Sequence, residues 1–125
     1  MLTSRVRVAR ETSAMKGITT IQTAQARYYS NYGRFAVSMQ ELGLPASGAD
    51  GPSGSNLIER NLATGEKDGY RFTLTATPAG YDISALPSQF GITGSKTCFS
   101  DQSMGIHVHV GPEPATANDP VLGRP

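Results

Sequence analysis

The side chains best suited to chemistry in this sequence lie in its last third. They are one cysteine, Cys98, and two histidines, His107 and His109, in a stretch that alternates apolar and polar residues. On a strand, side chains two residues apart point to the same side, so both imidazoles could bind one zinc or copper ion. No third ligand is identified with them. Solvent-facing polar alternation is therefore the simpler interpretation, and a small metal-binding protein is the alternative.

Catalysis by Cys98 would need partners that the sequence does not suggest. A cysteine and histidine nucleophile pair requires an orienting acid and a group that stabilises an oxyanion. A single cysteine also cannot form an internal disulfide. We expect Cys98 to be a small buried or half-buried apolar side chain, with an intermolecular disulfide as the alternative. Without convergent catalytic groups, the sequence predicts a protein that is not an enzyme and that uses no cofactor.

Length and composition predict one small domain. The chain has 125 residues, 38% of them apolar, with 14 glycines and 8 prolines, which indicates a thin core and much loop. Residues 1–34 carry six basic groups and one acid, a net charge of +5, whereas the other 91 residues carry a net charge of −4. Because the larger part is acidic, we expect no nucleic-acid partner. No apolar run is long enough to span a bilayer, and no secretory signal is visible.

The elements that must position these groups begin with a long N-terminal helix. Residues 3–32 contain no proline and one glycine, and apolar residues recur at helical spacing in the second half, which predicts one buried stripe. Toward the N-terminus the stripe continues into arginines, where cations oppose the helix dipole. We therefore expect the natural helix to begin upstream of residue 1. The predicted helix-to-sheet core consists of Ala14, Ile18, Ile21, Gln25, Tyr28 and Tyr32.

The connection after the helix predicts turns and short helices. Ser38 and Glu41 have the spacing of a capping box that opens a short helix. Residues 43–56 are rich in glycine, serine and proline, which predicts a mobile surface loop. Residues 57–63 could form a further short helix.

The second half of the chain predicts a small antiparallel sheet. Residues 70–77 and 81–85 alternate with period two around a turn that contains proline and glycine, and a second strand pair follows. In the last strand, Ile106, Val108 and Val110 should face inward and the two histidines outward. The tail is predicted to be loose or to cross the sheet as an extended strap.

The predicted fold class is therefore α+β, with a long N-terminal helix packed on an antiparallel sheet of about four strands and an extended C-terminal tail. The helix should cover the apolar face of the sheet. The predicted parts are the helix over 1–34 and a globular head over 35–125, divided into a loop region over 35–68, the sheet over 69–111 and the tail over 112–125.

These features together resemble type IV pilins and pseudopilins. The segment AMKGITTIQTAQARYYSNYGRFAVSMQELG is similar to the carboxyl half of their long helix and the turn after it. The segments NLIERNLATGEKDGYRFTLTATPAGYDISALP and TGSKTCFSDQSMGIHVHVG are similar to their hairpin and closing strands. The resemblance covers residues 2–111. A pilin precursor begins with a cleavage site and about 20 apolar residues, which this sequence lacks, so the resemblance implies a shortened, soluble form.

The resemblance implies assembly rather than chemistry. It implies a structural subunit of a type IV pilus serving adhesion or motility, with a pseudopilin of a type II secretion system as the alternative. The implied partners are copies of itself, other pilins and inner-membrane assembly machinery, with membrane contact only through the missing segment. The implied location is a cell-surface pilus or a periplasmic pseudopilus, reached from an inner-membrane-anchored precursor. The implied subunit-contact residues are Arg5, Arg7, Arg10 and Glu11.

A calcium ion near the C-terminal end is a further implication of the resemblance, because major pseudopilins carry one there. Asp101 and Asp119 are the acids in turn-like surroundings, and carboxylates with backbone carbonyls are calcium ligands. Their separation in sequence leaves the question open. We favour turn-forming or capping roles for both.

Overall fold

The computed structural model describes residues 2–45, 48–103 and 105–121, with residues 2–7 described by their backbone alone. One long helix packs on a five-stranded antiparallel sheet whose strands follow chain order, so the predicted α+β architecture is confirmed. Along the described residues, no helix combines the length and apolar character needed to cross a bilayer. The elements are helices α1 (Leu2–Tyr32), α2 (Met39–Leu42) and α3 (Arg60–Ala63), and strands β1 (Glu66–Lys67), β2 (Tyr70–Thr77), β3 (Gly80–Pro87), β4 (Lys96–Asp101) and β5 (His107–Val110).

The fifth strand is the short β1, which the sequence did not predict. Glu66 pairs with Arg71, and Lys67 pairs with Tyr70. These four residues enclose a tight turn in which Asp68 and Gly69 both have positive φ, at 52° and 81°. A two-residue strand is too short to show a period-two pattern, so only the turn signal was visible in the sequence.

One stripe of α1 is buried against the sheet. Gly17 lies so close to β2 that a Cβ atom there would approach Cζ of Phe72 to 2.8 Å, so glycine allows the helix to contact the sheet closely. Burial of a large apolar side chain in such a core stabilises the fold by about 1.5 to 3 kcal/mol. The stripe contains Ala14, Ile18, Ile21, Gln25 and Tyr28, each at most 1% exposed, and ends at the half-buried Tyr32.

Two side-chain hydrogen bonds align α1 with β4. Glu11 Oε2 accepts from the backbone N–H of Ser95 at 2.7 Å, and Gln22 Nε2 donates to Ser100 Oγ at 2.5 Å. Glu11 and Gln22 are 11 residues apart on the helix, and Ser95 and Ser100 are five residues apart along the strand. Both separations correspond to about 16 Å, because the rise per residue is about 1.5 Å in a helix and 3.3 Å in a strand. The helix and β4 therefore run side by side in the same direction.

The predicted capping box is confirmed at the start of α2. Ser38 is the N-cap and its hydroxyl accepts from the Glu41 N–H at 3.3 Å, while Glu41 Oε1 accepts from the N–H of Val37 at 2.8 Å. The carboxylate of Glu41 also pairs with Arg34 at 3.1 Å. The short helix predicted over 57–63 forms only at its C-terminal end, as α3.

Part of the predicted mobile loop is held against the head. The carbonyl of Glu41 accepts from both the N–H and the hydroxyl of Ser55, at 2.8 and 2.7 Å. Tyr28 Oη donates to the carbonyl of Pro52 at 2.5 Å. Ser55 is 5% exposed. Residues 51–55 are therefore packed on α1 and α2, because buried polar groups of the loop form hydrogen bonds with polar groups of the helices.

The described part of the C-terminal tail, residues 112–121, is a strap across the sheet, which is one of the two predicted arrangements. The carbonyl of Glu113 accepts from Thr97 Oγ1 on β4 at 2.7 Å. Further along, the carbonyl of Pro120 accepts from the N–H of Val108 at 2.9 Å, and Val121 pairs with His107. The strap therefore covers part of the β5 edge, where unpaired backbone groups would otherwise be open to other strands.

Candidate functional site

The two histidines contact the strap, although the sequence placed them in solvent. His107 Nδ1 donates to the carbonyl of Asp119 at 2.7 Å. His109 lies between two carboxylates, with Nδ1 3.1 Å from Asp119 Oδ1 and Nε2 3.3 Å from Glu113 Oε1. The expectation that Val110 faces inward is wrong, because it ends the edge strand and is 73% exposed. Among the described residues, no three histidine, cysteine, aspartate or glutamate side chains are placed to hold a metal ion.

We expect the strap to be attached most firmly in mildly acidic solution. Hydrogen bonds to Asp119 and then Glu113 raise the pKa of His109, so its stabilising contribution is complete below about pH 6.5 and is lost as the pH rises through the raised pKa. The Thr116 N–H and then His109 lower the pKa of Asp119, so its contribution is lost only as the pH falls through that lowered pKa. Hydrogen exchange of the Val108 amide, corrected for the intrinsic rate, should therefore show less protection at about pH 8.5 than at about pH 5.5.

The matched control for this pH dependence is His109→Gln. Glutamine retains hydrogen-bonding capacity but does not titrate in this range. Protection of the Val108 amide in this variant should be nearly independent of pH between those two values. Equal pH dependence in both proteins would show that His109 does not control the strap.

The surroundings of Asp101 and Cys98 indicate that both residues stabilise the fold. Asp101 Oδ1 accepts from the N–H and the hydroxyl of Ser103, at 2.9 and 2.5 Å, which is the geometry of a turn-forming aspartate. Asp119 Oδ2 likewise accepts from the N–H of Thr116 at 2.8 Å. Cys98 is 2% exposed, and burial, followed by the charge of Glu11, raises the pKa of its thiol to about 11. The thiol is therefore protonated near neutral pH and is a buried apolar side chain, as predicted.

Glu11 is not available to neighbouring subunits in the way the sequence suggested. It is 5% exposed, and its carboxylate accepts from both the N–H and the hydroxyl of Ser95, at 2.7 and 2.8 Å. The carboxylate is hydrogen-bonded within the chain because the residue directly before β4 lies beside this turn of α1. Arg10 is half-buried next to Gly69, while the side chains of Arg5 and Arg7 lie outside the described residues. The three arginines remain predicted contacts.

The uncovered face of α1, which we define as Lys16, Thr19, Thr20, Thr23 and Arg27, is the most distinctive surface of the described chain. All five side chains are exposed. The hydroxyls of Thr19 and Thr20 donate to the carbonyls of Met15 and Lys16, at 3.2 and 3.0 Å, which leaves their oxygen lone pairs free to accept. Part of this face forms a shallow groove with Asn56 and Leu57.

The uncovered face carries positive charge without acids. The sequence has no aspartate or glutamate between Glu11 and Glu41, and among the described residues neither Lys16 nor Arg27 has a carboxylate within ion-pair distance. Reasoning on sequence emphasised the buried stripe and overlooked this side. The long interval without acids was the signal that could have identified it.

The fold defines a class of α+β protein in which a long helix is held along a small antiparallel sheet and has one side uncovered among the described residues. The match to a family model agrees with this class. Residues 2–98 match the family described as type IV minor pilin ComP, DNA uptake sequence receptor. The chain belongs to this family of type IV minor pilins, so the pilin family expected from the sequence is confirmed. The pseudopilin alternative gains no support from this match. No curated protein and no solved structure matches the chain.

Proposed function

We propose that this protein is a pilus subunit whose uncovered α1 face packs against neighbouring pilins while its head is displayed on the filament surface. Membership of the type IV pilin family implies assembly with other pilins in a surface pilus. Adhesion or motility as the role of that pilus, and an inner-membrane-anchored precursor handled by assembly machinery, belong to the same proposal. The DNA-related role named by the family description is considered separately below.

The observation that supports this assembly role most directly is the two-sided character of α1. One side is buried against the sheet over about four turns, from Ala14 to Tyr28. The opposite side, over the same turns, has no covering element in the described chain and carries only cations and hydroxyls in its central part. A helix of this length with one unpartnered side is well suited to lie between other subunits. Acidic groups of neighbouring heads are suitable partners for Lys16 and Arg27, since complementary charge fixes the register of an interface.

Reversing the charges of the uncovered face should prevent incorporation into pili. In the complete protein expressed in its host, Lys16→Glu combined with Arg27→Glu should reduce the amount recovered in sheared pili by about tenfold or more, because like charges across an interface cost several kcal/mol. Quantitative immunoblotting of the pilus fraction measures this amount. Both substituted positions are exposed, so the purified variant should retain its melting temperature.

The matched control is Arg60→Glu combined with Arg71→Glu, which makes the same change in net charge at exposed positions outside α1. This control should enter pili at the level of the unaltered protein. Normal incorporation of the α1 variant, or absence of the unaltered protein from pili, would contradict the proposal.

A second candidate function is DNA binding, since the matched family is described as a DNA uptake sequence receptor. The expectation of no nucleic-acid partner was based on the net charge of −4 carried by the residues after residue 34, whereas DNA phosphates respond to the charge of the particular surface that they contact. On the uncovered face, Lys16 and Arg27 are about 16 Å apart along the helix with Thr20 and Thr23 between them. Lysine, arginine and threonine are common phosphate-binding side chains. A face buried between subunits cannot bind DNA at the same time, so the two roles exclude each other in any one copy.

Fluorescence anisotropy with a labelled DNA duplex tests this candidate on the purified chain. If Lys16 and Arg27 neutralise two phosphates, the binding constant should fall with salt with a logarithmic slope of about −2, and charge reversal at both positions should abolish binding. The Arg60→Glu, Arg71→Glu control should bind normally. Absence of binding at about 50 mM salt would exclude DNA as a partner of this face.

A further inference from the structure

The strap contains a peptide bond of unusual chemistry, between Asp119 and Pro120. Of the five aspartates in the sequence, only Asp119 precedes a proline. The carboxylate of an aspartate can attack the carbonyl carbon of its own residue, because ring closure gives a five-membered cyclic anhydride. A bond to proline is a tertiary amide, whose nitrogen accepts a proton and leaves more readily than that of a secondary amide. The two properties coincide only at this bond.

The carbonyl of this bond accepts a hydrogen bond from His107. Nδ1 of His107 lies 2.7 Å from the carbonyl oxygen of Asp119, and a ring nitrogen that bonds to a carbonyl oxygen has to carry the proton. A donor in this position polarises the carbonyl group. It also stabilises the negative charge that develops on the oxygen when a nucleophile adds to the carbon. His107 is therefore placed to assist cleavage of the bond that follows Asp119.

The carboxylate of Asp119 is kept ionised, which is its nucleophilic form. Oδ2 accepts from the N–H of Thr116 at 2.8 Å and from the hydroxyl of the same residue at 3.4 Å. Oδ1 lies 3.1 Å from Nδ1 of His109. The Thr116 N–H and then His109 lower the pKa of this carboxyl group. Among the described residues Oδ1 has one hydrogen-bond partner, so a lone pair remains on it for attack.

Backbone hydrogen bonds hold the bond from both sides. The N–H of Asp119 donates to the carbonyl of Thr116 at 3.0 Å, and the carbonyl of Pro120 accepts from the N–H of Val108 at 2.9 Å. Because the residues before and after the bond are already fixed, little conformational entropy is lost when the carboxylate approaches the carbonyl carbon. Pro120 is exposed, so solvent can deliver a proton to its nitrogen.

His109 and Glu113 are the other titratable side chains in this cluster, and they fix the carboxylate of Asp119. Nε2 of His109 lies 3.3 Å from Oε1 of Glu113, while its Nδ1 contacts Asp119. Hydrogen bonds at both ring nitrogens fix the orientation of the imidazole. His109 is therefore a positioning residue for Asp119, and Glu113 in turn positions His109.

We propose that this chain cleaves itself between Asp119 and Pro120, with the Asp119 carboxylate as nucleophile and His107 as the catalytic donor to the carbonyl oxygen. A carboxylate oxygen of Asp119 bonds to the carbonyl carbon of the same residue, and the bond from that carbon to the nitrogen of Pro120 breaks. The nitrogen takes a proton from solvent and leaves as the amine of a new N-terminus. Water then opens the cyclic anhydride, which restores the side-chain carboxylate and leaves a C-terminal carboxylate on Asp119.

Cleavage detaches the part of the strap that pairs with the start of β5. The carbonyl of Pro120 bonds to Val108, and Val121 pairs with His107, so both strap residues of this pairing belong to the released fragment. The backbone groups at this edge of β5 then become open to a strand from another chain. This activity goes beyond the proposed pilus role and does not depend on it, because the reaction involves no other subunit.

Mass spectrometry of the purified full chain tests the proposal. In mildly acidic buffer at physiological temperature, the folded chain should lose residues 120–125 and end at Asp119. The rate constant should not change with protein concentration or with added protease inhibitors, since the reaction is intramolecular. In concentrated urea the histidines no longer contact the bond, so cleavage should slow by about tenfold or more. Equal rates in the folded and unfolded chain, or a folded chain that stays intact for several days, would overturn the proposal.

Substitutions separate the roles of the two residues. Asp119→Asn removes the nucleophile and should slow cleavage at least to the rate of the unfolded chain, whereas Asp101→Asn, at the other turn-forming aspartate, should leave the rate unchanged. His107→Phe removes the donor and should slow cleavage by about tenfold or more, while His107→Gln, which can still donate, should retain part of the rate. Protection of the Val108 amide shows whether the strap is in place in each variant. An unchanged rate in His107→Phe with the strap in place would contradict the role of His107.

Discussion

Replacement of Gln25 by alanine should lower the free energy of unfolding by about 3 to 5 kcal/mol. The side chain is fully buried beneath the connection that follows α1. Its Nε2 donates to the carbonyl of Ala36 at 2.9 Å, and its Oε1 accepts from the N–H of the same residue at 2.8 Å. Truncation leaves a cavity and two buried backbone groups of Ala36 without partners. Urea unfolding followed by circular dichroism measures the change.

Two further substitutions separate the contributions of Gln25. Gln25→Leu keeps most of the volume and removes both hydrogen bonds, so its cost of about 2 kcal/mol should come mainly from the unpaired groups of Ala36. Gln40→Ala removes an exposed glutamine of α2 and should change the free energy of unfolding by less than about 0.5 kcal/mol. Equal costs for Gln25→Ala and Gln40→Ala would mean that water or a rearranged backbone forms hydrogen bonds with the N–H and carbonyl of Ala36. The hydrogen bonds between Gln25 and Ala36 would then not stabilise the connection after α1.

Gly94→Ala should be similarly harmful, lowering the free energy of unfolding by about 3 kcal/mol. A Cβ atom at Gly94 would lie 2.1 Å from Oη and 2.6 Å from Cζ of Tyr70. Tyr70 cannot move away easily, because it is 1% exposed and its hydroxyl donates to the carbonyl of Lys96 at 2.7 Å. The added methyl group therefore has to displace the 88–95 loop or the start of β2. Thermal and urea unfolding of the purified chain report the loss.

A double-mutant cycle identifies the clash as the cause. Tyr70→Phe removes the nearest atom, and alone it should cost about 1 kcal/mol for the lost hydrogen bond. Combined with Gly94→Ala it should cost less than the sum of the two single effects, because the hydroxyl is no longer in the way. Gly51→Ala is the matched glycine control, since a Cβ there would meet nothing within 4 Å. Additive effects in the cycle would show that the loss at Gly94 does not arise from contact with Tyr70.

The sequence predicted the structure correctly wherever a pattern of neighbouring residues determines it directly. The helical stripe from Ala14 to Tyr28 is buried because apolar spacing places those side chains on one side of α1. The capping box at Ser38 forms because it needs only four consecutive residues. The alternation in β2 and β3 likewise gave strands with their buried positions on one face.

The sequence was a poor guide wherever a residue's role depends on what packs against it. Glu11 was predicted to contact neighbouring subunits, but its carboxylate accepts from the N–H and the hydroxyl of Ser95, which directly precedes β4. His109 was predicted to face solvent, but the strap brings Asp119 and Glu113 to its two nitrogens. Ser95 is 84 residues from Glu11, and Asp119 is 10 residues from His109. Glu113 is only four residues from His109, but the two residues lie outside any helix, so no local pattern predicts their contact.

The sequence by itself determined the two-layer architecture and the absence of acids between Glu11 and Glu41, because these follow from composition and local periodicity. The resemblance to pilins rests instead on the order and spacing of several segments. Only the tertiary structure decided which side of α1 stays uncovered and which carboxylates form hydrogen bonds within the chain. It also decided how the tail packs along β5. The physical reason is that burial and hydrogen bonding between distant segments are settled by packing, where each group takes whichever partner the fold brings within reach.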